Sequence, residues 1–222
     1  MQERVTAVLQ IVGLTDQVDD KVDNFSGGIN QSSPGMMAMF VTFGMTGGAA
    51  VLIQERRWDT LRRLAVMPIH KASIIGGKLL GILTAGIIQM IILIVAGAAL
   101  FAVAWGNSPA ALAVMVFAFA LAMSSLGMMM AALVQTVAQA NALGMVLVLS
   151  MSTLGGAWWP LEIVPDWMQM IGRLSPIFWT MQGFHDIITH GLGVAAVLPE
   201  AVVLLAFTAV FLSIGIWHFK YE

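Results

Sequence analysis

Apolar positions in this chain form long unbroken runs rather than short alternating ones. In hydrocarbon every backbone N–H and C=O must be paired within the protein, so an apolar run of about 20 residues predicts a spanning helix. Five such runs are present, at about 35–53, 74–105, 109–134, 142–159 and 194–217. The first, third and fourth carry no charge; Lys78 lies near the start of the second and Glu200 near the start of the fifth. A membrane β-barrel requires strands of about ten residues that alternate apolar and polar. The run GIIQMIILIVAGAALFAVAW does not alternate. The expected fold is therefore all-α: a polytopic membrane helix bundle with five spans.

Polar positions divide the chain. Residues 1–34 hold Glu3, Asp16, Asp19, Asp20 and Asp23, and their longest apolar stretch is broken by Gln10, Gly13 and Thr15. A signal peptide needs a basic start and an apolar run of 7–15 residues. This segment reads instead as a polar, partly amphipathic external tail, with 35–222 as the membrane domain. In the loop QERRWDTLRRLAVMPIHKAS, Trp58, Leu61, Leu64 and Ala65 share one helical face. Asp59 stands four residues before Arg63, a helix-supporting pair, and Pro68 biases Met67 out of the helix. The loop predicts a basic amphipathic helix along the membrane surface, either an anchor on anionic lipid or a docking element for a partner protein.

Basic residues orient the bundle. Arg56, Arg57, Arg62, Arg63, Lys71, Lys78 and Lys220 put seven of ten on one side, while nine of twelve acids lie on the other. Loop 54–73 and the C-terminus are expected in the cytoplasm of a cell-membrane protein, and 1–34 and 160–193 outside. The external segment is broken by Pro160, Pro165 and Pro176 and carries the interface residues Trp158, Trp159, Trp167 and Trp179. It predicts either two short re-entrant helices, the first over 167–174 and capped by Asp166, or an aromatic belt on an ordinary loop. Gly155 and Gly156 predict a break in the fourth span before Trp158. Gly44-xxx-Gly48 and Gly77-xxx-Gly81 fit close helix packing.

Composition narrows the function. The chain is 59% hydrophobic and 10% charged, with mean hydropathy +0.89 and net charge −2. Soluble domains carry about 25% charge. A soluble enzyme, a disordered protein and a nucleic-acid binder are excluded. With no cysteine there is no disulfide, zinc-thiolate site or thiol catalysis. Gly76-Gly77-Lys78-Leu79 lacks the G-x-x-x-x-G-K-[ST] pattern of a phosphate loop. His185 and His190, five apart, are expected on different helix faces, which argues against a metal site. Glu200 follows Pro199 and reads as an interfacial or first-turn residue. We expect no catalytic, cofactor-binding or metal residues. Two other readings remain: a lipid-acting membrane enzyme using His185, Asp186, His190 or Glu200, and a non-transporting membrane partner.

Four stretches resemble the permease subunit of ABC type-2 transporters. They are the lead-in Gln31-Ser32-Ser33-Pro34-Gly35; the loop pattern of Glu55, Arg56, Thr60, Leu61, Arg63, Leu64 and Pro68; Gly77-Lys78; and Pro160, Pro165, Trp167 and Pro176. Arg57 and Asp59 depart from the family's usual acid and glycine. The resemblance covers about 30–218 and implies an ATP-driven exporter of lipophilic or amphipathic cargo. It implies a coupling helix near Glu55–Pro68, Trp58 included, that binds a separate cytoplasmic ATP-binding cassette ATPase. It also implies a second permease copy and contact with membrane lipids. Against the family's usual plan, a first span and most of an external domain are missing, so 1–34 resembles the end of that domain.

Overall fold

The computed structural model describes residues 15–57, 71–159 and 165–218, with side chains over 33–55, 73–159 and 165–218. Uniformly apolar sequence leaves the backbone no partner but itself, and among the described residues the result is seven helices. They are α1 (Thr15–Arg57), α2 (Lys71–Phe101), α3 (Pro109–Leu133), α4 (Val137–Leu154), α5 (Asp166–Gly172), α6 (Pro176–Ile188) and α7 (Val194–His218). Five are long and apolar enough to cross a membrane: Ser33–Glu55 within α1, Ser73–Phe101 within α2, and α3, α4 and α7. The expected all-α polytopic bundle is the fold observed.

α1 has 43 residues, about 64 Å at 1.5 Å per residue, and continues from Arg57 back through Pro34 to Thr15. Helix ends elsewhere differ from the hydropathy limits for local reasons. α2 stops at Phe101, not 105, because Ala102 turns into the left-handed region (φ 51°). The Val103 amide then donates to the Gly97 carbonyl at 3.2 Å. The chain doubles back, and the buried Trp105 packs on Gly97. α4 starts at Val137, five residues before the apolar run. Thr136 and Gln139 form a reciprocal capping box there, and Gly155 ends the helix. Replacing Thr136 with alanine should destabilise the fold by about 1 kcal/mol. Thermal unfolding in detergent checks this, with Thr136→Ser near wild type.

α3 is the centre. It packs on α7, α1, α2 and α6, while α4 packs on α1. Lipid offers no hydrophobic reward for helix association, so membrane interfaces rely on close approach at small residues. Gly127 of α3 lies so near α1 that a Cβ there would stand 2.5 Å from the Met45 carbonyl oxygen. Around this contact Met115, Phe119, Met123, Met45, Phe184 and Leu204 are fully buried.

Between α4 and α7 the chain forms two short helices, as expected, though Asp166 is the first residue of α5 rather than its cap; Pro165 holds the cap position. α6 is amphipathic and buries Ile177, Phe178, Met181, Phe184 and Ile187. Ser175 caps it by accepting from the Ile177 amide at 3.2 Å, and its hydroxyl donates to the Met151 carbonyl of α4 at 3.3 Å. α5 stays on the surface, with Trp167 and Met170 exposed.

Candidate functional site

Most hydroxyls in the spans are closed onto their own helices. Thr42 donates to Ala38 O at 2.6 Å, Ser124 to Ala120 O at 2.6 Å, Ser125 to Leu121 O at 2.7 Å and Thr208 to Leu204 O at 3.0 Å. Such back-bonding satisfies the hydroxyl within one turn. Two further polar contacts tie α1 to α2.

At the end of the bundle that carries loop 54–73, Glu55 of α1 meets Lys78 of α2. The Lys78 Nζ lies 2.6 Å from both carboxylate oxygens of Glu55. The two side chains are 23% and 26% exposed, so the pair is partly screened and holds the two helix ends in register more than it stabilises the fold. Deeper in the bundle, Gln89 of α2 donates from Nε2 to the Phe40 carbonyl of α1 at 3.0 Å. Between these two ties runs a cleft of about 500 Å³. Its walls include Gly44, Gly47, Gly48 and Val51 of α1 and Gly77, Gly81, Ala85 and Gly86 of α2.

The glycines of the cleft divide into two kinds. Gly44 faces the Gln89 amide, Gly48 touches Ile82, and Gly86 receives the Met45 side chain. A Cβ at Gly47, Gly77 or Gly81 would meet no neighbouring atom within 4 Å among the described residues. Hence Gly77-xxx-Gly81, read from sequence as a packing motif, packs against no other helix among the described residues. Gly76-Gly77-Lys78 lies inside helix α2, where no phosphate-cradling loop exists.

The sequence-predicted residues fall unevenly. Glu55 ends the first span, and Arg56 lies in the last turn of α1. Trp58, Thr60, Leu61, Arg63, Leu64, Pro68 and Pro160 lie outside the described residues. Pro165 precedes α5, Trp167 is exposed, and Pro176 opens α6. The Glu55–Lys78 pairing and the cleft are absent from the sequence reading. Both charged residues stand in the motif, and the glycine spacings were visible, but no local signal joins positions 23 residues apart.

At the opposite end, His190 Nδ1 lies 3.0 Å from Asp186 Oδ1, and the rings of His185 and His190 stand edge to face at 5.1 Å. The spacing argument against their meeting fails because α6 ends at Ile188 and the chain folds back. Among the described residues, no three His, Asp or Glu side chains form a group able to hold a metal. Glu200 is buried and lies beyond the first turn of α7, so the first-turn reading is corrected. Among the described residues its Oε2 has no hydrogen-bond partner.

Five helices long and apolar enough to span, with two short helices between the fourth and the fifth, define a multi-pass membrane protein. Residues 7–189 match the family described as ABC-2 type transporter, and the chain belongs to that family. It is similar to the linearmycin resistance permease protein LnrN of Bacillus subtilis (strain 168), 35% identical over 182 residues, 82% of this chain and 47% of the relative. It is also similar to the inner membrane transport permease YhhJ of Escherichia coli (strain K12), 26% identical over 183 residues, 79% of this chain and 47% of the relative. The chain thus spans about half the length of these curated relatives.

Proposed function

We propose that this chain is the membrane subunit of an ATP-driven exporter that moves lipophilic or amphipathic molecules, with ATP hydrolysed on a separate cytoplasmic ATP-binding cassette ATPase. The observation that carries the reading is the match to the ABC-2 type transporter family over residues 7–189. Loop 54–73 and the C-terminus face the cytoplasm, following the excess of Lys and Arg at that end. The loop helix, including Glu55, Arg56, Trp58, Thr60, Leu61, Arg63, Leu64 and Pro68, docks on the ATPase. The segment bearing Pro160, Pro165, Trp167 and Pro176 forms the external closure. A second permease copy completes the pathway. Residues 1–34 form the external tail and 35–222 the transmembrane domain.

Chemistry supports an apolar cargo. The span hydroxyls described above are already bonded, and the α1–α2 cleft is walled by glycine and aliphatic groups between its two polar ties. The test is co-purification followed by flux. A tagged chain extracted from its native membrane in mild detergent should bring down an ATPase subunit bearing a phosphate loop. The pair in proteoliposomes should move a fluorescent lipophile only when ATP is hydrolysed. Absence of any such ATPase, or equal flux without ATP, overturns the reading.

A further inference from the structure

The cleft between α1 and α2 has the dimensions of one lipid chain. From Lys78 to Gln89 along α2 is about 16 Å at 1.5 Å per residue. Half the hydrocarbon core of a bilayer is about 15 Å. The floor between those residues is open: among the described residues, a Cβ at Gly47, Gly77 or Gly81 would meet no neighbouring atom within 4 Å. The cleft therefore begins at the charged rim beside loop 54–73 and ends near mid-bilayer, at the Gln89–Phe40 hydrogen bond.

The rim presents two charges of opposite sign. Lys78 has three donors, and the two Glu55 oxygens engage at most two of them. A carboxylate has about four lone-pair sites, so Glu55 retains acceptor capacity beyond its bond to Lys78. An ion pair of this kind is complementary to a headgroup that itself carries a phosphate and a primary amine. A purely anionic headgroup would meet Lys78 favourably and Glu55 unfavourably.

We propose that the α1–α2 cleft seats one acyl chain of a phosphoethanolamine lipid from the leaflet adjoining loop 54–73, its phosphate on Lys78 and its ammonium on Glu55. The occupant is a lipid rather than a second copy of this chain because the cleft length matches one leaflet and its rim matches a zwitterion. The inference goes beyond the export reading and stands without it.

The test is photolabelling of the full chain in phosphatidylcholine vesicles doped with a phosphatidylethanolamine that carries a diazirine in its acyl chain. Label is expected on peptides of α1 and α2 that wall the cleft. Gly81→Phe fills the cleft and should reduce that label about tenfold, the equivalent of a tenfold weaker site. Gly76→Phe is the control, since Gly76 also meets no atom within 4 Å but does not line the cleft; its labelling should stay at the wild-type level. A phosphatidylglycerol probe should label the unaltered chain several-fold less, and Glu55→Gln should erase that preference without any change at a glycine. Equal labelling in the Gly81→Phe and unaltered chains, or no headgroup preference, overturns the proposal. So does a chain-to-chain crosslink through the cleft with lipid excluded. Specific labelling in a protein that moves no cargo with an ATPase would sink the export reading alone and leave the lipid seat intact.

Discussion

Leucine at position 127 is expected to keep this chain from its native fold. Gly127 is the point where the central helix α3 meets α1, and even a Cβ there would lie 2.5 Å from the Met45 carbonyl oxygen. The obstacle is backbone, so no rotamer change relieves it. α1 would have to move as a whole, and with it the buried Met45, which fills the space above Gly86 on α2. Overpacking a dense core costs about 1–3 kcal/mol and more where the neighbour cannot yield. We expect about 3 kcal/mol or more for Gly127→Leu, seen as loss of the folded fraction in detergent size-exclusion and thermal unfolding. Gly47→Leu is the matched control: the residue type and helix environment are similar, yet nothing stands within 4 Å. If both variants unfold alike, the α1–α3 contact does not have the importance assigned to it.

The largest functional effect is expected from Leu61→Asp combined with Arg63→Glu. In the export reading the loop helix sets an apolar face into a groove of the ATPase and flanks it with basic side chains. A charge on the apolar face must be desolvated or withheld, and reversing Arg63 also removes the pairing with Asp59 expected from sequence. Loss of one such anchor typically costs about 2 kcal/mol, roughly a thirtyfold weaker complex. The double variant should therefore fold and insert normally but retain little ATPase in pull-down and little ATP-dependent flux. Unchanged association and flux would show that the motor grips elsewhere.

The spans were legible because membrane burial writes itself into the sequence as uninterrupted apolar runs. Their ends were less so. The helix α4 begins at Val137 because a capping box of Thr136 and Gln139 satisfies its first amides, although hydropathy rises only later. The helix α2 ends at a left-handed Ala102, a residue with no propensity to mark the turn. His185 and His190 meet because a helix stops between them, which a spacing rule assuming continuous helix misses. The candidate site shows the same division. Glu55 and Lys78 were visible as motif residues, but their pairing is a tertiary fact. Glycine repeats of identical spacing differ, one packed against a neighbour and one meeting no neighbour among the described residues. Sequence spacing records which helix face a residue occupies and nothing about what stands opposite.

The hydroxyls of Thr42, Ser124, Ser125 and Thr208, each turned inward to the carbonyl one turn back, determine what these helices will tolerate beside them. A polar acceptor introduced beside those buried hydroxyls would shed its hydration and find their donors already engaged, a cost of about 2 kcal/mol or more for every buried polar group left unpaired. An aliphatic side chain would lose nothing. Those buried positions are thus filled by hydroxyls that behave as small apolar groups toward their neighbours, and an unpartnered polar side chain placed opposite one of them would destabilise the bundle.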